Sequence, residues 1–268
     1  MLSPTYVIKK TAKTSLKDNW FQAIAVSLIF IFALCLGEVA ASLVFAFAKR
    51  VGYIIFLSLF NIFAIFPLLL GVINWFRRLL WGQKDNVLLV FKYFSNRYEY
   101  KRALHLSLIL TSKLLISAAI VFSPCIIVWV LSSERFYNFF DLSLPVWTSS
   151  LWTLNSFLAI ISSFALIFVA LKYYLAPFLF VSDDNMHPAE AINMSVIISR
   201  RTGSDFVALV LSFALWILLS VFVAPLIFTI PYFIAAYGVH CRYAVTAYNN
   251  DVDNFNSKDA PFYSVDEV

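Results

Sequence analysis

The sequence predicts an all-α fold: a polytopic transmembrane helical bundle of about six spans, with short interfacial helices on the cytoplasmic side. Three observations predict it. The 268 residues are 62% hydrophobic and 13% charged, with a mean hydropathy of +0.83, whereas soluble domains are about 45–50% apolar and about 25% charged. The apolar residues come in runs of about 20 or more, the length that crosses a hydrocarbon core of about 30 Å. The runs do not alternate with polar residues, which excludes the closed barrel, the other structure that satisfies its backbone inside lipid.

The first run, 20–48, follows a lysine-bearing segment and is about twice the length of a signal-peptide core, so it reads as a retained span. Lys49 and Arg50 alone separate it from the second, 51–76, which makes the two a tight hairpin. The third span is 103–131, followed by an aromatic loop, and the fourth is 150–181, closed by Asp183, Asp184 and Asn185. The last apolar stretch is too long for one span. Pro225 and Pro231 punctuate it, and a proline inside a helix costs about 3 kcal/mol or more. A turn between them gives spans 206–228 and 231–248. Residues 1–250 form one membrane domain, and 251–268 are an acidic tail expected to be disordered.

Lysine and arginine placement sets the orientation. Lys9, Lys10, Lys13 and Lys17 precede span one, and Arg77, Arg78, Lys84, Lys92, Arg97, Lys101 and Arg102 follow span two. Lys172, Arg200 and Arg201 follow span four, and Arg242 and Lys258 lie at the end. That side holds sixteen basic residues against three (Lys49, Arg50, Arg135) on the other. The basic side, which carries both termini, is expected to be cytoplasmic. Trp75, Trp81, Trp147 and Trp152 fall at span ends, as an aromatic belt requires.

A threefold repeat is also expected, each membrane hairpin preceded by a short basic amphipathic segment. Ile8, Ala12 and Leu16 line one face of the first. Val87, Val90, Phe91, Phe94 and Tyr98 recur at helical spacing in the second. The third runs over 188–201, with Pro188 suited to the first helical position and Glu190 to the first turn. Such segments lie in the headgroup plane.

Ionisable residues inside spans are functional candidates by default. Glu38 lies near the outer end of span one, where Lys49 and Arg50 are potential partners. Lys113 has two readings, a buried charge or a snorkelling one. The second is cheaper, because a lysine at mid-bilayer costs about 2.5–3.5 kcal/mol. Arg77, Arg78, Arg200 and Arg201 sit where cytoplasmic headgroups lie, as plain topological anchors or as contacts for anionic lipid.

Asp183 and Asp184 invite a metal reading, but capping the next helix is the cheaper role for them. His105, His187 and His240 form no ligand motif, and Cys35, Cys125 and Cys241 have no paired spacing. With six glycines in all and no nucleophile or phosphate-loop pattern, nothing in the sequence supports catalysis, a metal, a cofactor or nucleic-acid binding.

Segments 67–71, 75–78 and 87–94, then 173–178, 183–184, 189–192 and 199–201, then 211–216 and 231–233 carry a resemblance. In order and spacing they resemble a bacterial integral-membrane family known as domain of unknown function 975, over roughly the whole chain. The resemblance implies a cytoplasmic-membrane protein without an assigned activity. The leading expectation is a non-enzymatic scaffold or accessory subunit whose partners are membrane lipid and other membrane proteins. The alternative is a permease-like transporter, with Pro67, Pro124, Pro177, Pro225 and Pro231 breaking helices around a cavity.

Overall fold

The structure is a computed structural model that describes residues 4–83, 85–133, 148–219 and 223–259. Lys84, Arg135, the aromatic loop with Trp147, and the end of the tail lie outside the described residues. Every regular element described is helical.

Helix α1 (Pro4–Leu16) buries Ile8, Ala12 and Leu16, spaced four apart, and exposes Lys10 and Lys13. A turn through Asn19 leads into α2 (Trp20–Phe60), a run of 41 helical residues. In a straight helix Glu38 and Tyr53 would stand about 22 Å apart. Instead the Tyr53 hydroxyl donates to Glu38 at 2.8 Å, and Phe45 packs edge-on against Tyr53. The chain therefore folds back between Phe45 and Arg50, giving a first hairpin with its tip there.

The second leg runs from α2 through a π-helical segment (Asn61–Ile65) into α3 (Phe66–Leu80). Pro67 explains the π turn. It has no N–H for the Phe63 carbonyl, and the Phe66 N–H reaches Asn61 instead of Ile62. Both freed carbonyls find donors on another helix: Tyr100 takes Phe63 at 3.0 Å and Ser107 takes Ile62 at 3.3 Å. Gly82, at φ 76°, ends α3 with the paired bonds of a Schellman turn, Gly82 to Leu79 and Gln83 to Arg78.

A 3₁₀ turn (Val87–Phe91) and α4 (Lys92–Ser95) follow, then α5 (Arg97–Leu131). Asn86 and Asn96 cap the 3₁₀ turn and α5 by accepting from Leu88 and Tyr98. The helix α5 is about 52 Å long and pairs with α6 (Thr148–Ala170) as a second hairpin. Pro124 leaves the Ile120 carbonyl without a backbone donor, and Ser123 supplies one at 2.7 Å.

The expected span 150–181 stops at Ala170. Residues 171–175 unwind before Pro177, and α7 (Ala176–Ser182) forms separately, with Phe178, Leu179, Phe180 and Val181 buried. The loosened carbonyls are again satisfied. Ser195 and Ser199 both donate to Lys172, and Tyr237 donates to Tyr174.

The C-terminal third departs most from expectation. The interfacial segment 188–201 and the start of span 206–228 are one helix, α8 (Pro188–Ser212), followed by α9 (Ala214–Leu219). No turn separates Pro225 from Pro231: α10 (Val223–Asp259) runs through both and carries the expected tail as helix up to Asp259. The cost of Pro231 is offset by packing, since Phe213 meets both Tyr232 and Phe233 and the next turn buries Ala235 and Ala236. Of the three repeat units, α1 and the 87–95 segment stand apart from the following legs, and the third does not.

Helix α10 is not aligned with the legs of the first hairpin. Phe228 packs on Trp20, where the first leg starts. Ten residues on, Gly238 lies against Leu80, and Arg242 lies over Trp81, where the second leg ends. A helix that touches both feet of one hairpin crosses beneath it. Among the described residues, four helices are long and apolar enough to cross a membrane: Trp20–Phe45, Arg50–Leu80, Arg97–Leu131 and Ser150–Ala170. The buried core lies at their feet, where α3 packs against α5, α7 and α10.

Candidate functional site at the feet of the hairpins

The end of α3 brings Arg77, Arg78 and Trp81 to the underside of the first hairpin. Arg77 and Arg242 both place their guanidinium groups over the Trp81 ring, at 5.7 and 4.9 Å from its centroid. Phe178 of α7 stacks on the same ring. Arg77 also donates to Asn74 at 3.3 Å. The Arg77 Nε and the buried Asn74 Nδ2 have no hydrogen-bond partner among the described residues. Arg78 is paired with Asp85 at 3.0 Å.

Two further ion pairs border this cluster. Lys92 meets Asp184 at 2.9 Å, and Arg102 meets Glu99 at 3.3 Å. Arg102 also donates to the Met186 carbonyl and lies 4.9 Å from the Phe180 ring centroid. The Lys92 hydrogen bond, with the charges of Lys92, Arg77 and Arg102, holds the Asp184 carboxyl below its ordinary range. Burial, with Glu99 and Asp184 nearby, pushes the Tyr93 hydroxyl up. Five cations and three carboxylates leave this base net positive and suited to anionic headgroups.

The expected roles of the acidic pair are redistributed. Asp183 accepts from Asn185 in a local turn, Asp184 serves Lys92, and the cap of α8 is His187, whose Nδ1 accepts from Ala189. Among the described residues no three His, Cys, Asp or Glu side chains gather as a metal site. Arg200 and Arg201 are exposed on α8. Glu38 pairs with Tyr53 near the tip of the first hairpin; Arg50 forms no ion pair among the described residues, and the Lys49 side chain lies outside them. Lys113 is half-buried, its ammonium 5.9 Å from the Tyr173 ring centroid. That places it just past the end of α6, at the foot of its own hairpin.

Sequence reasoning missed one buried network. The Tyr174 hydroxyl contacts His240 Nε2 at 2.9 Å and Thr202 at 3.0 Å, and its ring stacks on Phe206 at 4.2 Å. His240 is fully buried. Tyr174 lies 28 residues from Thr202 and 66 from His240, so no local spacing announces the network. These contacts tie α8 and α10 to the 171–175 break.

Comparison with family models, with curated proteins and with solved structures finds no match to this chain.

Proposed function

We propose that this chain is a non-enzymatic protein of the bacterial cytoplasmic membrane, a scaffold or accessory subunit that presents apolar helical hairpins to lipid and to other membrane proteins. The observation that carries the reading is the exposure of the legs. In the four candidate spans, only 6% to 28% of the most apolar stretch is buried inside the chain. Helices that enclose a pathway bury their inner faces against one another; these keep most of their surface for an outside neighbour. The proposal takes four spans rather than six, with the α8–α10 pair in the cytoplasmic interface. An even number keeps both termini on the basic side. Membership of the domain of unknown function 975 family belongs to the same proposal, resting on the order of the quoted segments.

Photo-crosslinkers at Leu43, Ile120 and Phe164, all exposed, test it in native membranes. A discrete protein adduct at one or more positions supports an accessory subunit. Adducts to lipid alone at all three positions remove that reading.

One observation favours the transporter alternative. A groove of about 480 Å³ between the π segment and α5 is lined by Ser58, Asn61, Ser107 and Thr111 among apolar residues, and π turns recur at functional sites. Cysteines at these four positions that react with a water-soluble reagent from both sides of the membrane would establish a polar path.

A further inference from the structure

We infer that the pocket between α1, the start of α2 and the α9–α10 pair binds the headgroup and upper acyl chain of one anionic phospholipid. The pocket has a volume of about 340 Å³ and is lined by Lys9, Lys13, Trp20, Trp216, Phe228, Thr229 and Tyr232. It thus pairs two cations one helical turn apart with a mainly aromatic wall, which is the chemistry of a molecule charged at one end and greasy at the other. Phe228 and Trp216 are about half exposed, so the wall is open to a chain lying along it. Trp20 starts the first membrane leg, which puts the opening beside lipid.

The basic end is organised in advance. Lys9 donates to the Ser212 carbonyl at 2.7 Å, where α8 ends, and sits 4.3 Å from the Phe213 ring centroid; the Tyr232 hydroxyl holds its backbone carbonyl. Neither Lys9 nor Lys13 forms an ion pair among the described residues. Burial acts against the charge of Lys9 and lowers its pKa, and an anion entering the pocket relieves that penalty. A phosphodiester can bridge the fixed ammonium of Lys9 and that of the exposed Lys13. Binding in micelles does not depend on the proposed orientation or scaffold role, so it stands or falls separately from them.

The full-length protein in neutral detergent is titrated with dioctanoyl phosphatidylglycerol, dioctanoyl phosphatidylcholine and inorganic phosphate, and bound ligand is counted by native mass spectrometry. One equivalent of phosphatidylglycerol is expected, with phosphatidylcholine much weaker and phosphate unable to displace it. Each lysine removed should weaken binding about fivefold at the affinity expected of a basic residue near an anionic surface. Lys9→Gln also removes a donor from Ser212, so Lys13→Gln, at an exposed position, is the deciding variant. Equal binding by wild type and Lys13→Gln, or equal binding of the two lipids, overturns the inference. Displacement by phosphate alone shows a free-anion site and overturns the lipid assignment.

Discussion

Arg242 holds its guanidinium carbon 4.9 Å from the ring centroid of Trp81, joining the helix that crosses beneath the first hairpin to the foot of its second leg. The contact explains why the C-terminal third lies where it does. Trp81 follows the last turn of α3, Arg242 sits one turn beyond Gly238, and Gly238 lies against the Leu80 side chain. A charge–ring contact is stronger where it is desolvated than in bulk water.

Arg242→Ala is therefore expected to lower the unfolding free energy in detergent by about 1 kcal/mol, and Arg242→Lys by less. Trp81→Ala should cost more, because Phe178 and Arg77 lose the same ring. Chemical denaturation followed by tryptophan fluorescence measures all three. An unchanged Arg242→Ala would show that α10 is held by its apolar face alone.

The topology makes a second prediction. Single cysteines at Ser95 and Arg50, both exposed, should label from opposite sides: Arg50→Cys in intact cells and Ser95→Cys only after the membrane is opened. Labelling of both from outside would remove the first hairpin as a membrane element.

These expectations show how far the sequence reaches. Apolar run length and the Lys49–Arg50 interruption were enough for the first hairpin, because both are local. The same signal misled at residues 206–248. Hydropathy reports that a helix is apolar but not whether it stands upright or lies across its neighbours. The cost of Pro231 is local and legible, whereas the Phe213 packing that offsets it comes from another helix. The positive base was visible as Arg77 and Arg78. The pairing of Arg78 with Asp85 depends on the turn at Gly82, and Asp184 pairs with Lys92 across 92 residues of chain. Tyr174 and His240 have no shared motif at all.

Lys113 lies at the foot of the second hairpin, so Lys113→Met should leave expression and insertion unchanged. Its contact with Tyr173 is worth about 0.5–1 kcal/mol at a partly exposed site. A large loss of folded protein on this substitution would mean a charge buried and paired within the bilayer.

The Asp184–Lys92 pair carries a pH dependence whose sign is fixed. The folded-state pKa of Asp184 is depressed below its ordinary 3.8. Its contribution is therefore fully present above the unfolded value and is lost as pH falls through the folded one. Asp184 is 65% exposed, so solvent screening limits the contribution to about 1 kcal/mol or less. Asp184→Asn should lower stability at pH 6, and the gap to wild type should close below pH 3.8. A gap that persists in acid would mean that Asp184 acts through packing rather than charge.

Two close-approach glycines, Gly71 and Gly238, separate backbone from side-chain contact. At Gly71 a Cβ would run into the Val90 carbonyl, which belongs to the 3₁₀ turn seated on α3. At Gly238 a Cβ would meet the Cδ1 of Leu80, the far end of a flexible side chain, at 2.7 Å. The first obstacle cannot move without lifting the segment that holds Val90 and Tyr93 in the core, and the second can rotate away. Gly71→Ala is expected to destabilise by about 1–3 kcal/mol, the usual cost of overpacking a filled site. Gly238→Ala should cost less than Gly71→Ala, and a part of its cost is returned because alanine is the better helix former by about 1 kcal/mol. Thermal melts of both variants in one detergent decide the point. If Gly71→Ala melts with the wild type, the 3₁₀ turn is not packed on α3 at Gly71, and the base of the bundle is assembled differently.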